Sequence, residues 1–322
     1  MFSDYPLVTV VTATYKRFDS LFASIDSVFK QNYPNIEYVI TDDGSDNFPY
    51  DEIKKYIDSL DQNNVRNVMI LTAESNRGTV KNLNTAYRKS NGKYIINLSC
   101  GDVFFSKGVV SKIVKKFIDN KADVVVTSRI LYKEKNQPIA LLPHYNERKI
   151  ITGKYKTSID QYKAFVLGMS YDMASGSAMS YSRSIMEKYG YFDERFCLFE
   201  DGPFLLKYLL DSELCYAYDI ISIWYETGGL SSGPSAVRNP LYQKDLDLFN
   251  FHDRKDHIDL LNRSERKKLD FCLAIINTKG SRLKKILAVI RYFPYSICYI
   301  YYNYSRKINQ KNDLKYLKKS KH

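Results

Sequence analysis

The carboxylates of this chain that could do chemistry stand at the ends of predicted elements. LSCGDVF (98–104) follows a strand-like run, YIIN, and its turn holds a solitary acid, Asp102. One carboxylate at the C-terminal tip of a buried strand suits a divalent cation and, through it, a phosphate. TDDGS (41–45) puts Asp42 and Asp43 at the end of another strand. Asp and Gly are also the expected residues of a plain turn there. Glu200-Asp201 precedes Gly-Pro and an apolar helix, FLLKYLL. An ordinary helix start has this spelling, with Asp as N-cap and Pro in the first turn. So does a carboxylate at a helix mouth, placed to take a proton from a nucleophilic hydroxyl. Both can hold at different atoms.

Other chemistries lack their residues. The first strand, VTVVTATYKR, contains no glycine, so neither a phosphate-cradling loop nor the GxGxxG dinucleotide fingerprint is present. His144, His252, His257 and His322 have no metal-ligand spacing. No G-x-S-x-G or Cys–His pattern suggests acyl transfer. Met179, Met186 and the aromatics near them read as core.

The elements that must position these acids alternate. LVTVVTAT (7–14) is a short β-branched strand, followed by a helix in SLFASIDSVFKQ that Asp19 is placed to cap. IEYVITDD (36–43), VRNVMILT (65–72) and KYIINLS (93–99) are further strands, with helices over 50–60 and Thr79–Ser90 between them. A helix over Val109–Asn120 and a strand over 122–132 continue the pattern. A polar segment then runs to about Ser158, followed by a helical region, the small-residue run ASGSAMS (174–180), and a helix near Ser184–Tyr189. A loop, GYFDERFCLFED, a helix from about Gly202-Pro203 and a strand, YAYDIISIWY (216–225), complete it. Alternating β and α predicts an α/β fold with a mostly parallel central sheet and helices on both faces. Ligands of such sheets sit outside the carboxyl ends of the strands. Asp42, Asp43 and Asp102 all fall there.

Charge divides the chain. Residues 262–322 hold 16 Lys/Arg and 3 Asp/Glu, against 32 and 33 in the first 261, so the net +12 belongs to the tail. Around Ile286–Tyr304, basic residues interleave with Ile, Leu and Tyr, a composition that predicts an interfacial segment on anionic lipid. Long apolar stretches serve lipid better than phosphate, so no nucleic-acid partner is expected. The uncharged part after Arg291 is 14 residues, short of the ~20 needed to span a bilayer. The five cysteines are scattered without a CxxC pair, and the N-terminus lacks a basic, then apolar, leader. The expectation is a cytoplasmic protein, peripheral on the inner face of the cell membrane. Its organisation is predicted as 1–240, with a nucleotide-binding half (1–110) and an acceptor half (111–240), then a basic helical C-terminal extension over 241–322.

Taken in order, these stretches resemble the family 2 glycosyltransferases, which have the GT-A nucleotide-sugar-binding fold. PLVTVVTATYKR is similar to the opening strand, with Lys16 where Asn is usual, and QNYPNIEYVITDDGSDN to the second strand and its Asp-Asp-Gly-Ser turn. NRGTVKNLNTAYRKSNGKYIINLSCGD resembles the Asn-x-Gly helix and metal-binding strand end. SGSAMSYSRSIMEKYGYFDERFCLFED resembles the acceptor-side segment, with Gly-x-Phe-Asp-Glu and the Glu-Asp pair. The likeness spans roughly residues 6–232.

The resemblance implies inverting transfer of a sugar from a nucleoside diphosphate, usually UDP, to an acceptor hydroxyl. By position, Ala13 and Tyr15 would edge the base and ribose, Asp43 would accept from the base N–H, and Lys81 would approach the nucleotide. Asp102 would bind Mg²⁺ or Mn²⁺ with the diphosphate oxygens. Asp201 would be the general base, with Glu200 beside it. Tyr225 and Gly228-Gly229-Leu230-Ser231 resemble the loop that closes over the diphosphate. The family commonly shows Asp-x-Asp-Asp where this chain has Ser99-Cys100-Gly101-Asp102. Gly101 thus takes the place of a ribose- or metal-contacting carboxylate, and Ser99 is left to serve the ribose.

The function implied is assembly of a surface polysaccharide on a lipid-linked oligosaccharide. The alternative is a turnover-deficient relative that binds nucleotide or glycan. A sugar-nucleotide nucleotidyltransferase would need a Gly-rich basic loop after strand one, and VTATYKRFDS offers none.

Overall fold

Every second residue of the first strand faces a different layer, and this sets the architecture. The computed structural model describes residues 5–61, 63–132, 138–226, 239–278 and 280–319. Strand β1 (Val8–Thr14) lies between β2 (Ile36–Asp42) and β4 (Tyr94–Asn97), with β3 (Val65–Thr72) outside β2, all parallel. Val10, Tyr38, Ile40 and Ile96 point to one face and Val11, Val39 and Ile95 to the other, in two separate cores. The first face is covered by α1 (Leu21–Phe29), α2 (Tyr50–Asp58) and α4 (Val109–Asn120); the second by α3 (Thr79–Lys89) and later helices. Strands buried on both sides need near-continuous β-branched runs, which VTVVTAT and IEYVIT supply. Truncating a core side chain such as Phe117, 1% exposed, costs roughly 3–5 kcal/mol.

Beyond β4 the sheet is mixed. Strand β8 (Met179–Ser182) runs antiparallel between β4 and β6 (Val124–Tyr132), β9 (Cys215–Glu226) lies parallel to β6, and β5 (Val103–Phe104) pairs antiparallel with the far edge of β9. The polar stretch before Ser158 holds a strand, β7 (Pro138–Leu142), on β6, and a helix, α5 (Tyr145–Lys154). Then come α6 (Ser158–Val166), α7 (Arg183–Lys188) and α8 (Asp201–Tyr208). Two local expectations are corrected. Ser20, not Asp19, is the N-cap of α1, and it makes no side-chain cap hydrogen bond. Glu200, not Asp201, is the N-cap of α8, so both carboxylates sit in its opening turn.

The C-terminal helices are α9 (Pro240–Phe251), α10 (Arg263–Ile276), α11 (Arg282–Arg291) and α12 (Ser296–Lys319). They are tied to the body by polar contacts as well as apolar ones. Asp245 of α9 accepts from the backbone N–H groups of Cys197 and Leu198 at 2.9 and 2.6 Å. The ring Nδ1 of His144 lies 2.9 Å from Asp313, and Arg306 lies 3.6 Å from the fully buried Glu147. No helix among the described residues is long and apolar enough to cross a membrane.

Candidate active site

Three strand ends converge. The N–H of Asp43, just past β2, donates to Thr14 O at 3.1 Å, and the N–H of Cys100, past β4, donates to Ala13 O at 3.2 Å. Both turns are thereby sewn to the end of β1. They open on a cleft of about 450 Å³, lined on this side by Ala13, Tyr15, Asp43, Ser99 and Asp102, and on the other by Glu200. Tyr225 also lines it, while Gly228-Gly229-Leu230-Ser231 lie outside the described residues.

The two acids of the TDDGS turn divide the labour. Asp42 holds the turn, accepting from Ser45 N–H at 2.7 Å and from Ser45 Oγ at 2.6 Å. Gly44 completes it at φ +73°, where an added Cβ would meet the Ser75 carbonyl carbon at 2.4 Å. Asp43 instead faces the cleft, 4% exposed, and accepts from the N–H groups of Arg77 at 3.1 Å and Gly78 at 2.7 Å. Burial pushes its pKa up, against the pull of those two N–H groups and the Arg77 guanidinium. A carboxylate has about four lone-pair sites, so two such bonds leave it able to accept from a ligand.

Asp102, 3% exposed, is fixed through its backbone. The fully buried Ser24 of α1 donates its hydroxyl to Asp102 O at 2.8 Å and accepts from Gly101 N–H at 3.0 Å. Gly101 is therefore a hinge-like anchor and not a cleft-lining residue. Its φ of +97° is a conformation glycine enters readily and aspartate does not. The Cys100 thiol donates to Arg17 O at 2.8 Å. Lys81, on the exposed side of α3, does not line the cleft.

Across the cleft, Asp201 Oδ2 accepts from Gly176 N–H at 2.8 Å. Gly176 comes from the small-residue run, and a Cβ there would lie 2.7 Å from Glu200 Oε1 and 3.4 Å from Asp201 Oδ2. Burial and the neighbouring Asp201 charge push Glu200 up to about 8. Burial also raises Asp201, but the N–H groups of Gly176 and Gly202 and the charge of Arg129 oppose the rise. The two carboxylates thus act on one another, and the groups that favour a negative charge bear on Asp201. Arg129 of β6 is 3.3 Å from Asp172, and its guanidinium lies 5.6 Å from the Tyr225 ring centre.

Among the described residues no group of three or more His, Cys, Asp or Glu could hold a metal unaided. Asp102, with the Ser99 hydroxyl in the same cleft, offers one carboxylate and open space for phosphate oxygens and water. Magnesium-like cations accept that donor set, taking one or two carboxylates and completing the shell with substrate phosphates. The residues fit a cation that arrives with a diphosphate.

The sequence reading missed Ser24, Arg77, Gly176 and Arg129. Gly176 carried a signal, since it lies in the conspicuous run ASGSAMS. Ser24 carried none, being one serine among several in an amphipathic helix.

Comparison with known proteins bears on the family and the fold. Over 154 residues the chain is 27% identical to an Escherichia coli UDP-Glc:alpha-D-GlcNAc-diphosphoundecaprenol beta-1,3-glucosyltransferase, WfaP, covering 47% of this chain and 51% of that protein. It is 24% identical over 154 residues to a putative teichuronic acid biosynthesis glycosyltransferase, TuaG, of Bacillus subtilis, covering 48% and 59%. The chain thus spans about half the length of the curated relatives it matches. In fold it matches the Pyrobaculum calidifontis mannosyltransferase PcManGT, solved with GDP-Man and Mn²⁺, with a TM-score of 0.58 and 16% identity, covering 95% and 86% of the two chains. It also matches Staphylococcus aureus TarS bound to UDP, with a TM-score of 0.53 and 15% identity over 98% and 92%. Residues 9–190 match the model of glycosyl transferase family 2, and the chain belongs to that family, with a GT-A fold.

Proposed function

We propose that the chain is an inverting glycosyltransferase that moves a sugar from a nucleoside-diphosphate donor, a UDP-sugar, onto a hydroxyl of a lipid-linked glycan during surface-polysaccharide synthesis. The observation that carries this is the cleft itself. It sets Asp43 and Asp102 at the strand ends against Glu200 at the mouth of α8, with Asp201 next to it. Ala13 and Tyr15 flank the base and ribose, Asp43 accepts from the base N–H, Ser99 serves the ribose, and the Gly101 backbone sets the turn. Lys81 acts on the nucleotide only from outside the cleft wall.

The acceptor hydroxyl attacks the anomeric carbon as its proton passes to Asp201. The bond from that carbon to the diphosphate oxygen breaks, and the configuration inverts. Glu200 stands beside Asp201 on the acceptor side of the cleft. A Mg²⁺ or Mn²⁺ held by Asp102 would neutralise charge on the departing diphosphate. No covalent enzyme intermediate is needed. The E. coli relative's diphosphoundecaprenol-linked substrate supports a lipid-linked acceptor, hence a peripheral position on the inner face of the cell membrane.

The single carboxylate at 99–102 favours a second reading, a family member that binds nucleotide or glycan without turnover. A thermal-shift panel of nucleoside diphosphates and their sugars, with and without Mn²⁺, tests binding by linkage. Sugar transfer to a membrane fraction, abolished in Asp201→Asn, tests turnover. Binding without transfer from any donor selects the second reading, and transfer that survives in Asp201→Asn removes the assigned base.

A further inference from the structure

The C-terminal helices carry two rows of side chains, and only one row is used by the fold. The inner row includes Ala288, Tyr292, Tyr299, Asn309 and Asp313. Tyr292 and Tyr299 both pack on Phe271 of α10, with ring centres at 5.9 and 5.4 Å. Asn309 and Asp313 are buried against the segment that opens α5. The outer row is Leu283, Ile286, Ile290, Phe293, Ile297 and Ile300, each between 50% and 69% exposed. Within each helix these positions recur three or four residues apart, the repeat of one helical face. The turn over residues 292–295 separates the two helices, so each carries its own exposed row. Exposed rows of large aliphatic residues mark a surface that something covers.

Charge identifies the cover. From Phe271 to Asn312 the chain has eight Lys/Arg and no acidic residue. Arg282, Lys284, Lys285 and Arg291 of α11 flank the stripe and can snorkel to phosphate headgroups while it enters the acyl boundary. A second copy of this chain would set the same cations against each other, with no acid to pair them. Nucleic acid would leave the aliphatic row unburied.

We infer that the outer face of α11 and the first half of α12 is a one-leaflet docking surface for an anionic lipid bilayer. It rests on the functional reading above only in naming where the lipid-linked acceptor is met. The inner row keeps the catalytic body fixed to that surface, so the cleft is held at the membrane rather than tethered loosely to it.

Flotation of the full chain with vesicles tests this. Phosphatidylcholine vesicles containing phosphatidylglycerol are expected to carry the protein up at moderate salt, with binding about tenfold or more weaker to phosphatidylcholine alone. Ile286→Asp with Ile290→Asp, both at exposed positions, is expected to abolish flotation. The same variant should keep its thermal unfolding midpoint and its shift with UDP and Mn²⁺. Wild-type protein that stays in the aqueous phase overturns the inference, as does flotation undiminished by the double substitution. A concentration-dependent dimer that the substitution dissolves, without vesicle binding, assigns the face to a second copy instead. Loss of the UDP response in the wild-type protein would sink the catalytic reading and leave the flotation result standing.

Discussion

The backbone N–H of Gly176 meets the carboxylate of Asp201 at 2.8 Å, joining the run before β8 to the first turn of α8. The glycine also leaves no room for a side chain beneath Glu200. Gly176→Ala would bring a Cβ to 2.7 Å from Glu200 Oε1, the far end of a movable side chain. Little stability should be lost, because that carboxylate can swing away. Its new position disturbs the acceptor side of the cleft, so kcat should fall by about tenfold or more, as small misplacements at a reacting centre do. Steady-state transfer kinetics beside a urea unfolding curve would check both halves; unchanged kcat would show that the pair tolerates displacement.

Glu200 gives a pH dependence with a definite sign. Its pKa is raised from the ordinary 4.5 to about 8, so across that interval the folded chain holds a proton that the unfolded chain has released. Stability from this group is therefore fully present below about pH 4.5 and is lost as pH rises through about 8. Urea midpoints taken from pH 5 to 9 should decline in the wild-type protein and decline less steeply in Glu200→Gln. Parallel slopes would mean that Glu200 titrates as an ordinary carboxylate.

The elements legible in the sequence were those whose own residues specify them. The bounds of Val109–Asn120 are legible because its apolar positions repeat at helical spacing over three turns. The hairpin partner β7 and the helix α5 are not legible, since α5 buries only Glu147 and Ile151 and is held by tertiary contacts. The site divides the same way. Asp43, Asp102 and Glu200 could be named because strand ends and helix mouths are visible as patterns. What fixes them comes from 34 residues away at Arg77 and 78 at Ser24, distances at which a single sequence carries no pairing signal. The basic excess of the tail was visible, whereas its firm docking through His144 and Glu147 was not.

The turn at 99–102 separates a lost carboxylate from a rebuilt loop. Asp102→Ala should remove the Mn²⁺-dependent part of any UDP-induced thermal shift, and Ser99→Ala should leave most of it. Restoring the family's commoner acid by Gly101→Asp should not improve the site. At φ +97° a non-glycine residue is strained by about 1–3 kcal/mol, and the turn's hold on Ser24 would loosen. Lower urea midpoints and weaker Mn²⁺ dependence in Gly101→Asp are the expected result; tighter metal dependence would show a site that had simply decayed.

Arg129 opposes the burial-driven rise of Asp201 by its charge, and it does so from β6, outside the motifs that resemble the family. With Asp201 as the proposed base, Arg129→Gln should raise its pKa and move the acid limb of the kcat/KM profile to higher pH. Activity should fall most at low pH and recover toward alkaline pH, while Arg129→Lys, which keeps a cation, should shift the limb less. The substitution also strips Asp172 of its 3.3 Å ion pair, and some loss of stability is expected in Gln and Lys alike. A purely structural contribution would lower kcat/KM by the same factor at every pH. The shape of the profile, and not its height, therefore decides whether Arg129 tunes the base.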